Sequence, residues 1–385
     1  MTPPVTSGRR QTRHRRTPAR ALATEHAQLA SYALLLATGV VLCAACSPSA
    51  RDLADDAVAG SGGTPSMVPP SSGGAATVMK PKPPATLSET GLFARVDGEE
   101  LELWSDVEPY VPRFPLFSDG AEKSRWVKLP AGSVIDQSDP DHWSFPVGAR
   151  FWKEFAIDGR RIETRMIERF GPSEDDFAYA AYAWRADGSD AELVSTRAGM
   201  VNALGSGHDI PTEDQCRDCH GYLKERVLGF SAIQLNHTGP GVTLQRLADD
   251  SRLLPGDVPA PVVPGDTVTV AALGYLHANC SHCHNSSGVT QFTHPLDLRL
   301  STKDSDVEST GAYRTAVGQP VELSGLPASY ALRIQPSAPD KSALVYRMST
   351  RGNLLQMPPL GATLVDSEGR DLIVAWVNSL AAPAN

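Results

Sequence analysis

Cys280-Ser281-His282-Cys283-His284 has the Cys-x-x-Cys-His order of a c-type haem attachment site, and the rest of the chain is organised around it. Two thiols on one helical turn can add across the two vinyl groups of a porphyrin, and the adjacent histidine can supply an axial nitrogen to the iron. A second copy, Cys216-Arg217-Asp218-Cys219-His220, lies upstream. One such pentapeptide is also compatible with a redox or zinc fragment. Two copies, with no cysteine left over nearby, predict two covalently bound haem c groups, with structural zinc through both Cys pairs as the rival. His220 and His284 are then the proximal ligands.

The flanks of the second copy carry regular patterns. Thr267 to His277 sets Val268, Ala271, Ala272, Tyr275 and Leu276 at helical spacing directly before the pentapeptide. Near the C-terminus Asp366 can cap a helix with Glu368 in its first turn. Leu372, Ile373, Trp376, Val377 and Leu380 form the apolar stripe of that helix. Between the two lies Gln356-Met357-Pro358-Pro359-Leu360-Gly361. A thioether is a soft, neutral donor that favours ferrous iron. Two prolines hold such a loop extended with little entropy left to lose. Met357 is therefore the candidate distal ligand of the second haem.

The first copy has a less definite setting. Thr212 or Asp214 can cap a short helix carrying Cys216 and Cys219, and Leu228 to Leu235 is apolar enough to shield one face of a ring. Leu244, Leu247 and Leu253 suggest another short helix before the proline-rich stretch from Pro255 to Pro264. Met200, His208 and His237 are candidates for a sixth ligand, and no pattern selects one; an open or water-ligated iron is the alternative.

From Leu87 to about Ile210 the pattern is that of strands. Phe151 to Ile157 alternates, Asp158-Gly159 tolerates positive φ, and Arg160 to Arg169 alternates again, which predicts a hairpin. Phe177 to Arg185 and Ala191 to Thr196, joined through Asp187-Gly188-Ser189-Asp190, predict a second. Trp104, Trp126, Trp143, Trp152 and Trp184 supply an aromatic core for an antiparallel domain. These aromatics could instead line a ligand groove, although at strand spacing core packing is the commoner role.

At the other end, Arg9, Arg10, Arg13, Arg15, Arg16 and Arg20 precede an apolar run from Tyr32 to Ala45, the order of a bacterial export signal. Ala44-Ala45-Cys46 resembles a lipoprotein box, with Cys43 standing where a leucine is usual. This predicts lipidation of Cys46; an uncleaved anchor or a plain cleaved signal are the alternatives. Ser61-Gly62-Gly63, Pro69 to Gly74 and Pro81-Lys82-Pro83-Pro84 read as linker. The expected organisation is 1–45 signal, 46–86 disordered linker, 87–210 β-rich domain, 211–264 first haem segment and 265–385 second haem domain. The six cysteines are thereby all assigned. A formal charge of -9 over 385 residues, with basic residues unclustered beyond the first twenty, offers no footprint for nucleic acid.

Gly274 to Leu380 resembles a class I cytochrome c domain in its order of helix, attachment site, long loop, Met-Pro-Pro and terminal helix; Ile334 to Leu344 resembles the loop and helix before the methionine in many bacterial versions. Most of the chain after Leu87 also resembles a family of bacterial dihaem c-type cytochromes, often lipoproteins. That wider likeness is carried by Leu116-Phe117-Ser118-Asp119-Gly120-Ala121, Phe145-Pro146-Val147-Gly148, Glu163-Thr164-Arg165, Leu228-Gly229-Phe230 and Gln234-Leu235-Asn236. His237, after Asn236, looks particular to this sequence. The resemblance implies an α+β multidomain protein, with an N-terminal antiparallel β-rich domain followed by a mostly α, cytochrome c-like haem region. It also implies electron transfer in the periplasm with protein redox partners there or at the membrane, from a lipid anchor in the outer membrane; it names no substrate. The other class of function to weigh is a haem enzyme, a peroxidase or small-molecule oxidase with an open first iron. A third is a β domain that docks a partner enzyme and uses the haems as its electron outlet.

Overall fold

The computed structural model describes residues 78–382, apart from 98–99, 257, 289 and 292–294. The signal, Cys46 and nearly all of the linker lie outside the described residues. No helix among the described residues is long and apolar enough to cross a membrane.

The fold is α+β. A hairpin of β1 (Phe93–Asp97) and β2 (Glu100–Leu103) precedes a six-stranded antiparallel sheet. The sheet runs in the order β3 (Glu108–Pro109), β4 (Glu122–Lys128), β6 (Arg150–Ile157), β7 (Arg160–Arg169), β8 (Phe177–Trp184) and β9 (Ala191–Leu193). A short β5 (Ile135–Asp136) pairs in parallel with β10 (Leu253–Leu254). Both expected hairpins form, β6–β7 through Asp158-Gly159 at φ 49° and 74°, as a two-residue turn with both central residues left-handed demands. The second is shorter than its sequence pattern, since β9 ends at Leu193.

Helices then take over: α1 (Glu213–His220), α2 (Ala232–Leu235), α3 (Leu244–Asp249), α4 (Thr267–Asn279), α5 (Gly311–Ala316), α6 (Ala343–Met348) and α7 (Ser367–Ser379). Their starts follow side-chain capping. Thr212 and Gln215 form a reciprocal capping box on α1, with Asp214 inside the first turn. Asp266 accepts from the Thr269 N–H at the start of α4, and Asp366 from the Gly369 N–H at the start of α7. Leu253 is not helical; it joins β10, where backbone pairing with Ile135 outweighs local spacing.

The two faces of the sheet bury different cores. On one face Trp152, Tyr182 and Trp184 pack with Leu87 and Leu92. On the other, Val127, Phe151 and Tyr179 meet Phe230, Leu235, Leu244 and Leu247 from the helical segment. The change of secondary structure near residue 210 therefore falls inside one shared core. Phe230 is its hub, meeting Tyr110, Phe145, Phe151 and Trp143 edge-on with ring centroids 4.9–6.0 Å apart. Of the five tryptophans between Leu87 and Ile210, Trp143, Trp152 and Trp184 are buried and Trp126 is partly so; Trp104 is 48% exposed at the end of the first hairpin, beyond the reach of that core.

A third layer of packing joins α4 to α7. Leu273 and Leu276 meet Ile373, Trp376 and Val377, with Ile233 of α2 in the same cluster. A Cβ on Gly369 would lie 2.2 Å from the Tyr275 ring, and one on Gly274 would lie 2.1 Å from Phe114. The glycines thus let α7 and the Phe114 loop approach α4 closely. A fully buried residue such as Trp376 contributes on the order of 3–5 kcal/mol when judged by truncation.

Candidate functional site

Helix α1 delivers Cys216, Cys219 and His220 in its second turn, and Cys216 packs against the core shared with the sheet. The His220 ring lies beside Tyr179, with centroids 5.7 Å apart. Its Nδ1 sits 2.6 Å from the Arg226 carbonyl oxygen. A carbonyl only accepts, so Nδ1 carries the proton and Nε2 the lone pair. Burial holds this imidazole down at about 3, which keeps it neutral.

The second pentapeptide follows α4 as a turn: the N–H groups of Cys283 and His284 donate to the Cys280 carbonyl. Thr290 Oγ1 lies 3.3 Å from the Cys283 carbonyl and 3.1 Å from His284 Nδ1. His220 thus has the held tautomer that metal-binding imidazoles take from a neighbouring acceptor, and the His284 ring is held at Nδ1 by the Thr290 hydroxyl.

The four thiols form no disulfide. Burial raises all of them, Cys216 and Cys283 to about 11 and Cys280 to about 12. After burial, the Cys219 thiol is the next cause of the Cys283 shift, and His282 is among those acting on His220. The two pentapeptides are thus near enough to act on each other electrostatically. Among the described residues no three His, Cys, Asp or Glu side chains form a group able to hold an ion by themselves. An all-protein zinc site needs four such donors. One oriented imidazole and two apolar-lined thiols per motif instead fit a ligand that brings its own ring donors and needs covalent anchoring.

Beside the second motif, whose Ser281 and His282 line it, lies a pocket open to solvent. Phe114, Leu116, Leu223 and Val227 give it apolar walls; Arg125, Lys153, Glu225 and Arg299 give it charge. His277 and His282 also line it, held down at about 3 and about 4 mainly by burial. Leu228, Gly229, Ser231 and Gln234 of the Leu228–Leu235 stretch line the pocket, while Phe230, Ala232 and Leu235 pack in the sheet core and Ile233 in the helical core.

Met357 lies half-buried in the loop between α6 and α7, its N–H donating to the Arg347 carbonyl and its carbonyl accepting from Arg351. The Met357–Pro358 peptide is cis. The loop is also held from across the molecule. Asp119, in the Leu116–Ala121 stretch, accepts from the Thr363 N–H, the Thr363 hydroxyl and the Leu364 N–H. Asn279, one residue before Cys280, accepts from Phe117 N–H and donates to the Pro115 carbonyl. Sequence reasoning quoted Leu116–Ala121 for its likeness alone; its physical role is this double tie.

Of the three sixth-ligand candidates, His237 has both ring nitrogens engaged, Nε2–H to the Val111 carbonyl and Nδ1 from the Gly239 N–H. His208 Nε2 is 2.7 Å from Glu163, and Met200 is 40% exposed on a β-bridge with Ile210. Residues that pattern reading missed include Glu225, buried between His142 and Arg299 at 3.0 and 2.8 Å. A charged residue in a Gly- and Leu-rich neighbourhood carries no local signal of such pairing.

Comparison of the chain with protein families, with curated proteins and with solved structures gives no match.

Proposed function

We propose that the protein is an exported dihaem c-type cytochrome that passes electrons in the periplasm. The observation that carries this reading is the pair of Cys-x-x-Cys-His motifs, each with its histidine Nδ1 hydrogen-bonded to a neighbour. Cys216, Cys219, Cys280 and Cys283 would anchor two macrocycles, with His220 and His284 offering Nε2 and Met357 a thioether. Bound haem supplies one-electron oxidation and reduction. The chain's own part is to hold the imidazoles at Nδ1, to bury the thioether face and to limit water. On this reading residues 265–385 form a class I cytochrome c-like domain, and partners are periplasmic or membrane redox proteins. Cys46 would carry the lipid anchor to the outer membrane: fatty-acid labelling should mark the wild type and not Cys46→Ala, and an unlabelled wild type would leave only a cleaved signal or an uncleaved anchor.

The ferric spectrum tests the electron-transfer reading. Two low-spin haems are expected, and Met357→Ala should abolish the sulfur-to-iron charge-transfer band and lower the potential of the second haem, because the soft neutral donor that favours ferrous iron is gone. Spectra unchanged by Met357→Ala would remove Met357 from the ligand set. A haem enzyme is the second reading, favoured by the engagement of His237 and His208 in other bonds, which points to an exchangeable position on the first haem. A high-spin component that binds carbon monoxide or cyanide before any mutation would turn the assignment toward it.

A further inference from the structure

Three cations stand in direct register across the sheet: Arg125 on β4 opposes Lys153 on β6, which opposes Arg165 on β7. They share the face of Val127, Phe151 and Ile167, two residues along each strand, which is the face turned toward the helical segment. Like charges directly opposite on a sheet repel, and the cost grows as water is excluded. Arg125 is only 8% exposed.

Compensation reaches only one end of this row. Glu163, fully buried, bonds Arg165 at 2.6 and 2.9 Å and also meets His208. Among the described residues neither Arg125 nor Lys153 has a side-chain ion pair or hydrogen bond; Lys153 lies over the Phe155 ring at 4.8 Å. Both line the pocket beside Ser281 and His282. The other charged residues there, Glu225 and Arg299, are spent on each other, and His277 and His282 are neutral. The pocket therefore offers apolar walls and two uncompensated cations, a match for a flat apolar body edged with carboxylate. The pocket wall also includes Ser281 and His282 of the second motif.

We propose that Arg125 and Lys153 form a carboxylate subsite, and that its occupant is a propionate of a bound haem. The occupant rests on the dihaem reading; the subsite does not. Burial, with Arg125, Arg165 and Lys123, holds Lys153 well below the usual lysine range, and a carboxylate at the subsite offsets that repulsion. The same chemistry could come from a free small carboxylate, and the two sources separate experimentally.

The test uses haem-loaded full-length protein with Arg125→Gln, Lys153→Met and Lys153→Arg, and Arg95→Gln on the first hairpin as a charge control. Haem content is first measured as the pyridine haemochrome. Arg125→Gln and Lys153→Met should each shift one haem's reduction constant about tenfold toward ferric, 59 mV for a one-electron couple. Each should also move the propionate-bending bands in resonance Raman spectra and lower the melting midpoint. Lys153→Arg should restore all three, and Arg95→Gln should leave them unmoved. Titration of the wild type with sodium acetate at constant ionic strength should give no saturable effect. Saturable acetate stabilisation that Lys153→Met removes, with potentials and Raman bands unmoved, would keep the subsite and overturn its haem occupant. Unmoved potentials and bands with melting midpoints that rise, as relief of bare repulsion predicts, would overturn the subsite itself. If the haemochrome assay finds no covalent haem, the dihaem reading and the haem occupant fail together, and the acetate titration alone decides the subsite.

Discussion

Protein made with c-type maturation machinery should retain two haems per chain through denaturation, and the paired replacement Cys280→Ala/Cys283→Ala should retain one. Thioether bonds survive conditions that release a merely ligated porphyrin, so the measurement reads covalent attachment and is blind to affinity. Replacing Cys216 and Cys219 together should also halve the haem content, leaving the other site loaded. A single replacement in either pair should keep its haem through the remaining thioether. The reciprocal design guards against one variant failing to fold, because Cys280 packs against the α4–α7 core and Cys216 against the sheet core. Release of all porphyrin on denaturation, or stoichiometric zinc in its place, would sink the dihaem assignment.

The second large effect concerns Glu225. Its carboxylate pairs with Arg299 and His142, and Arg299 also donates to the Asp141 carbonyl. Asp141 in turn accepts from the Ser301 hydroxyl and the Thr302 N–H, both at 2.6 Å. This network ties the loop after β5, the segment after α1 and the start of the C-terminal region together. Glu225→Ala would leave the Arg299 charge buried without a carboxylate, a loss of about 3–5 kcal/mol. Desolvation works against ionisation of Glu225, but His142 and Arg299 outweigh it and hold the carboxyl at about 2, against an ordinary value of 4.5. A depressed folded value means that the unfolded chain binds more protons between these limits. The contribution of Glu225 is therefore whole above about pH 5 and fades as pH falls toward 2. Denaturant titrations followed by far-ultraviolet circular dichroism at pH 7, 5 and 3 should show that slope in the wild type and a shallower one in Glu225→Gln. Parallel slopes in the two proteins would remove Glu225 as its source.

What the sequence by itself determined is local. The Cys-x-x-Cys-His spacing, the capping residues Asp266 and Asp366, the stripe from Leu372 to Val377 and the Asp158-Gly159 turn all depend on neighbours within one or two turns of chain. Each appears where its pattern places it, in α4, α7 and the β6–β7 hairpin. The class I cytochrome c likeness rests on the same local features. Periodicity also assigns an inward face, but it does not say what meets that face. Hence Leu253 went to a strand, Trp104 to solvent and Phe230 to a sheet core, each by contacts far away in sequence.

The tertiary structure alone decided which charges are compensated and which motifs come near each other. Strand register put Arg125, Lys153 and Arg165 in one row, and a shift by a single residue would have sent one of them to the opposite face. Long-range packing brought Cys219 near Cys283, Glu225 between His142 and Arg299, and Asp119 under the turn at Thr363. Such pairings depend on burial, which sets the cost of an unpaired charge, and burial is a property of the assembled fold.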